Sequence, residues 1–178
     1  MDPIVLAALK KWPNVPACRG WLGLDARGDW YMRDDRIQAA GPFPQSKGSR
    51  INHDKLREFI QRNYAVDQAG CWFFQNGPQQ VYVELEAAPW VWRLSPGNGA
   101  VPAIHSHTEQ AARFLSAYTD EQGRLFLHTD LGFGLVHSMD VPHALAPVES
   151  GAWSVQEMCF ADMPGRFEYQ RSPSSGVR

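Results

Sequence analysis

The chain carries one short phrase three times: Asp-x-x-Gly-x, then a large apolar residue, an aromatic and another large apolar residue. Asp25-Ala26-Arg27-Gly28 precedes Asp29-Trp30-Tyr31-Met32. Asp67-Gln68-Ala69-Gly70 precedes Cys71-Trp72-Phe73-Phe74. Asp120-Glu121-Gln122-Gly123 precedes Arg124-Leu125-Phe126-Leu127. An Asp that accepts from backbone N–H groups opens a type I turn, and a left-handed Gly closes it into a bulged hairpin. The phrase therefore constrains architecture and is silent on chemistry.

Two of the copies share more than a turn. Sliding the chain by 53 residues brings Asp67 onto Asp120, Gly70 onto Gly123, Phe73 onto Phe126, Val83 onto Val136 and Pro89 onto Pro142. Trp72, Phe74 and Tyr82 meet Leu125, Leu127 and Leu135, so the apolar classes agree as well. An internal repeat of two related units follows as an expectation, each unable to bury its apolar face alone. Asp25 lies outside this register and shares only the turn.

Around these turns the pattern is mixed α and β. Asp2-Pro3 reads as the N-cap and first position of a short helix that Pro13 closes. Trp21–Leu24 and Trp30–Met32 read as a first hairpin. Positions 34–50 are rich in Gly, Pro, Ser and charge and read as a loop. In 52–64, Leu56, Phe59, Ile60 and Tyr64 make one apolar stripe, the clearest helix, capped by Asn52 or Asp54. Cys71–Gln75 reads as a strand. Val81, Val83 and Leu85 alternate with Tyr82, Glu84 and Glu86, which places the two carboxylates on a wet face. Trp90–Leu94 is apolar on both faces apart from Arg93 and reads as a strand covered on both sides. Pro96-Gly97-Asn98-Gly99 breaks the chain, strands follow at 124–129 and 134–139, and a last strand is expected within 153–160. The expected class is α+β: antiparallel hairpins and meanders with one clear amphipathic helix. The expected halves are 1–88, α+β, and 89–178, mainly β, packed as two related halves or as one domain.

Bulk properties narrow the function classes. With 178 residues, 44% hydrophobic and 20% charged, the chain can build a core. A net charge of −2 gives no basic surface for nucleic acid or anionic membrane. No apolar run approaches a membrane span, and the N-terminus lacks the basic n-region of a secretory signal. Cys18, Cys71 and Cys159 are odd in number and without C-x-x-C spacing, which fits a reducing, cytoplasmic setting.

A Gly-Asp-Trp-type hairpin is followed by Ile51, His53 and Leu56 at a helix start. Then come Asp-x-x-Gly with an aromatic strand, Val81–Glu86 as Val-x-Val-Glu-Leu-Glu, the Ala88-Pro89 pair and a Thr129–Gly132 turn. In this order, over about 20–145, the chain resembles a family of uncharacterised bacterial proteins, a domain of unknown function. More remotely it is similar to another such family, built of repeated α+β motifs and suspected of roles in signalling. The 34–50 loop and His105-Ser106-His107 depart from the remote family's pattern. Neither resemblance implies catalytic residues.

The residues offer a few candidate sites. Trp72, Tyr82, Trp90 and Trp92 cluster in sequence around Arg93. They suggest an aromatic-walled cleft in which Arg93, Asn76 or Tyr82 anchors a small organic ligand or a peptide. His105 and His107, two apart with Glu109 behind, are weak candidates for holding a cation. His128 and His137 flank one turn on strands expected to pair, a possible pH-sensitive couple. No G-x-S-x-G elbow or dinucleotide fingerprint occurs, so no catalytic residue and no cofactor is expected. The reading favoured is a binding or regulatory module. An enzyme using histidines and carboxylates near the cleft, or a scaffold that docks a protein, are the alternatives, and oligomeric state is left open.

Overall fold

The computed structural model describes residues 1–97 and 101–173. Asn98 and Gly99 of the expected break lie outside the described residues, as does, from 174 onward, the C-terminal tail that starts at Arg171 and is rich in Ser, Pro and Gly in sequence. The chain is α+β. It divides into two compact units: Met1–Asp25, Asp29–Glu86 and the described part of Tyr169–Arg178 form the first, Ala26–Gly28 with Ala87–Glu168 the second.

In the first unit, α1 (Pro3–Lys11) starts with Pro near its N-terminus and ends at Trp12, as the Asp-Pro and Pro13 signals require. The strands are β1 (Cys18–Leu24), β2 (Trp30–Met32), β3 (Ser49–Arg50), β4 (Tyr64–Val66), β5 (Trp72–Asn76) and β6 (Gln79–Leu85). They form one sheet in the order β3-β2-β1-β6-β5-β4. Two antiparallel meanders meet at a parallel β1–β6 pair, with Leu22 opposite Val83 and Leu24 opposite Leu85. That central position changes the reading of β6. Glu84 is only 6% exposed rather than wet, because a central strand covered on both faces loses its polar side.

The 34–50 segment is more ordered than its composition suggests. Asp34 caps α2 (Asp35–Ala40) by accepting from the Ile37 N–H at 2.9 Å. Arg33, 3% exposed, organises the rest. Its guanidinium donates to the carbonyls of Ser46 (2.9 Å), Gly20 (3.1 Å) and Gly41 (2.7 Å). Phe43 lies so close over Gly23 that a Cβ there would sit 2.6 Å from its ring. Lys47 bridges Asp25 at 3.1 Å and Glu86 at 2.9 Å. The stripe helix is α3 (Asp54–Arg62), capped by the His53 Nδ1, which accepts from the Leu56 N–H, rather than by Asn52 or Asp54. Ile60 is buried, and Phe59 meets Phe74 edge-on at 5.4 Å.

The second unit holds β7 (Trp90–Ser95), β8 (Ala103–Ser106), β9 (Ala111–Ala112), β10 (Phe114–Thr119), β11 (Leu125–Thr129), β12 (Gly132–Val136) and β13 (Val155–Glu157). The helices are a 3-10 turn at Val141–Ala144, α4 (Leu145–Glu149) and α5 (Met163–Arg166). The sheet order is β13-β10-β11-β12-β7-β8-β9. Phe73 faces Tyr82 and Phe126 faces Leu135; Asn76 faces Gln79 and Thr129 faces Gly132. Tyr64 faces Phe74 and Ala117 faces Leu127, so these strand pairs stand at the 53-residue offset. The correspondence also reaches earlier strands, where the sequence register is silent: β7 lies parallel to β12, with Trp92 opposite Val136, as β1 lies beside β6. It ends at the prolines. Pro89 precedes a strand, whereas Pro142 lies in the 3-10 turn.

The turns use the expected chemistry. The Asp67 Oδ1 accepts from the N–H groups of Ala69 and Cys71, and the Asp120 Oδ1 from those of Gln122 and Arg124. Gly70 and Gly123 have φ of 77° and 73°, where a Cβ would be strained. At Asp25 the Oδ1 accepts from the Asp29 N–H. Burial pushes the Asp120 carboxyl up, but the backbone and guanidinium of Arg124 outweigh this and hold it below the usual carboxylate range.

Candidate functional site

Three neighbouring strands of the second unit bring polar and aromatic side chains to one face. Ser116 on β10 pairs with His128 on β11, and His128 pairs with Phe133 on β12. Tyr118, two residues from Ser116, shares that face because strand side chains alternate. α5 then returns the chain over these residues. Met163 is fully buried at its start. Just past its end Phe167 stacks on Phe133 with centroids 3.8 Å apart and planes 9° from parallel. Phe167 also meets Tyr118 edge-on at 5.2 Å and His128 at 5.2 Å, and Phe133 stacks in turn on Phe126 at 5.5 Å. Such pairs contribute about 0.5–1.5 kcal/mol each beyond area burial, so the stacked wall is stabilised by more than its apolar area.

Arg166, Phe167 and Glu168 line the same cavity, of about 480 Å³, together with Ser116, Tyr118, His128, Gly132 and Phe133. Three consecutive residues can do so because Glu168 takes a left-handed φ of 54°, unusual for a residue with a Cβ. The Ser116 hydroxyl donates to the Tyr118 hydroxyl at 3.2 Å. Burial, and then the nearby Arg166 charge, lower the pKa of His128, so its imidazole is neutral at pH 7. The cavity thus offers one cation, one anion, a neutral imidazole and two hydroxyls beside an aromatic wall.

The six residues proposed from sequence lie elsewhere. Trp72, Asn76 and Tyr82 belong to the first unit. Trp72 packs 4.7 Å from the Tyr64 ring. Tyr82 is buried and donates to Asp67 at 2.9 Å, with Arg19 over its ring at 4.4 Å. Asn76 edges an apolar depression of about 260 Å³, lined also by Trp21, Met32, Leu56, Ile60 and Phe74. Trp90, Trp92 and Arg93 belong to the second unit. Both indoles are buried, and they donate at 3.0 Å to the carbonyls of Leu131 and Leu127. Arg93 holds Asp140, whose carboxylate also accepts from the Leu94 N–H.

The histidine expectations are revised. His105 and His107 do not share a strand face, because β8 ends at Ser106; His105 is exposed. His107 keeps part of its surface, but its Nε2 is inside and its Nδ1 accepts from the Val91 N–H at 3.3 Å. Burial pushes its pKa down to about 3. Among the described residues no three His, Cys, Asp or Glu side chains form a cation-binding group. His128 faces Phe133 rather than His137, which lies beyond β12.

Ser116, Tyr118, Phe133, Arg166, Phe167 and Glu168 escaped sequence reasoning. The alternation of Ser116 and Tyr118 with Leu115 and Ala117 was a usable signal for two hydroxyls on one face. Nothing in 166–168 signals a cavity wall, because its role depends on a stacking contact 34 positions away.

The family DUF2944, described as "Protein of unknown function (DUF2946)", matches residues 1–174. No curated protein matches the chain. Among solved structures it is similar to a DUF1285 family protein from Silicibacter pomeroyi DSS-3. The identity is 13% and the TM-score 0.50, over 81% of this chain and 75% of that one. A DUF1285 family protein from Shewanella baltica OS155 is similar at 11% identity and TM-score 0.46, over 73% and 91% respectively. The first of these likenesses is one of fold.

Proposed function

This chain belongs to the DUF2944 family, and we propose that it is a binding module that holds a small organic molecule in the cavity of its second unit. The supporting observation is the convergence of a stacked aromatic wall with hydroxyl, imidazole and charged groups in about 480 Å³, the size and mixture of a small-ligand pocket. Binding is favoured over catalysis because the Ser116 hydroxyl donates to Tyr118 and not to His128, so the nucleophile–base pairing of covalent catalysis is not made. The matching strand registers support descent from a duplicated unit in which the second copy acquired this cavity through the segment 163–168. The free thiols of Cys18, Cys71 and Cys159 support a reducing, cytoplasmic setting.

The test is a fragment screen by thermal shift on the intact chain and on Phe167→Ala and Tyr118→Phe. A ligand at one hundred times its Kd stabilises by about 2.7 kcal/mol, which is about 5–10 °C for a protein of this size. The expected result is a set of hits that stabilise the parent chain and lose their effect in both variants. Hits indifferent to both substitutions, or no hits at all, overturn the proposal.

A further inference from the structure

Resting on that reading of the cavity, we propose that its ligand is a small zwitterion, a free amino acid or a close analogue, whose carboxylate meets Arg166 and whose ammonium group meets Glu168. Two residues of opposite charge, adjacent to Phe167 in sequence, line one cavity. Among the described residues, neither side chain is engaged in an ion pair or hydrogen bond within the protein. The Arg166 guanidinium lies over the Phe167 ring at 5.6 Å, a contact that leaves its N–H donors open to an incoming molecule, as the Glu168 carboxylate is. Arg166 ends α5, and the left-handed turn at Glu168 keeps that residue on the cavity lining beside Arg166 and Phe167. Holding a residue with a Cβ in that conformation costs free energy, and such outliers gather at ligand sites.

The other groups fit the same ligand. A planar guanidinium takes a carboxylate in two parallel hydrogen bonds. The Ser116 and Tyr118 hydroxyls, linked at 3.2 Å, add neutral donors and acceptors. A neutral His128 adds no second cation to attract the carboxylate away from Arg166. The Phe133–Phe167 stack offers an apolar wall to the ligand's side chain.

The experiment is calorimetric titration of the intact chain with the proteinogenic amino acids. Each binder is then compared with the matched carboxylic acid lacking the amino group and the matched amine lacking the carboxylate. At least one amino acid is expected to bind saturably, and both matched analogues at least about tenfold more weakly, the loss of one charge-assisted contact. Glu168→Gln should weaken the amino acid and leave the carboxylic acid unchanged. Arg166→Gln should weaken the amino acid and leave the amine unchanged. Both positions are exposed, so both variants should melt with the parent chain. If an amino acid and its analogues bind equally, or only uncharged fragments bind and respond to Phe167→Ala, the zwitterion assignment falls while the cavity stands as a binding site. If neither amino acids nor fragments bind, both fall.

Discussion

His107 makes the stability of this protein sensitive to mild acid. Its ring Nδ1 accepts from the Val91 N–H, and its backbone N–H donates to the Val91 carbonyl at 2.8 Å, which continues the β7–β8 ladder. Protonating Nδ1 removes the acceptor and places a charge inside the second unit. In the folded chain burial lowers the pKa to about 3, against about 6.5 unfolded. A depressed histidine pKa means that the unfolded chain binds the proton first. Its contribution is therefore complete above pH 6.5 and declines as pH falls toward 3. At pH 5 the loss is at most about 2 kcal/mol, from 1.36 kcal/mol per unit over the interval below 6.5. For a chain of this size that is a fall in Tm of about 4–8 °C. The assay is thermal unfolding at pH 7.5 and pH 5.0, followed by tryptophan fluorescence because Trp90 lies 5.7 Å from the His107 ring. His107→Asn keeps an acceptor for Val91 and should lose most of the difference between the two pH values, whatever it costs at both. His128→Gln is the control, since His128 is also held neutral and titrates in the same direction. The carboxylates held below their ordinary range, Asp120 and Asp140, lose their partners only at lower pH. If His107→Asn retains the full acid-induced drop, His107 is not the sensitive group and the argument from its burial is wrong.

Three further outcomes test the fold. Arg33→Ala removes three hydrogen bonds to carbonyls at 2.7–3.1 Å and should cost about 2–4 kcal/mol, with hydrogen exchange accelerated at 34–48; unchanged protection there would show that Arg33 does not hold the segment. Gly134→Ala places a Cβ 2.5 Å from the Trp92 Nε1 and 2.6 Å from the Trp90 carbonyl, so a loss of about 2 kcal/mol or more is expected in denaturant titration, and parental stability would contradict the packing. Asp120→Ala leaves the N–H groups of Gln122 and Arg124 without their acceptor and should destabilise by about 1–3 kcal/mol, where a neutral result would deny the turn its role.

Much of the fold was legible because its signals are local. The Asp-x-x-Gly turns, the Leu56/Phe59/Ile60 stripe and the doubly apolar run at 90–94 each depend on residues a few positions apart. Burial was less legible where it depends on sheet position: Glu84 alternates as a wet residue does, yet the parallel neighbour β1 makes its strand central. The 34–50 segment misled in the same way, since its order comes from one buried arginine reaching three carbonyls. The tryptophans at 90 and 92 read from sequence as walls of a ligand cleft, whereas the structure buries both and bonds their indole N–H groups to carbonyls 41 and 35 positions away.

The sequence by itself determined the turns, the class and the 53-residue strand register, because each is written in short-range propensity and in comparison of the chain with itself. Only the tertiary structure decided which face became a cavity. Ser116, His128, Phe133 and Phe167 meet across three strands and a returning helix, and no short-range rule specifies which distant side chain will stack on an exposed aromatic. Packing selects that partner, and with it the charges of Arg166 and Glu168 are carried into place.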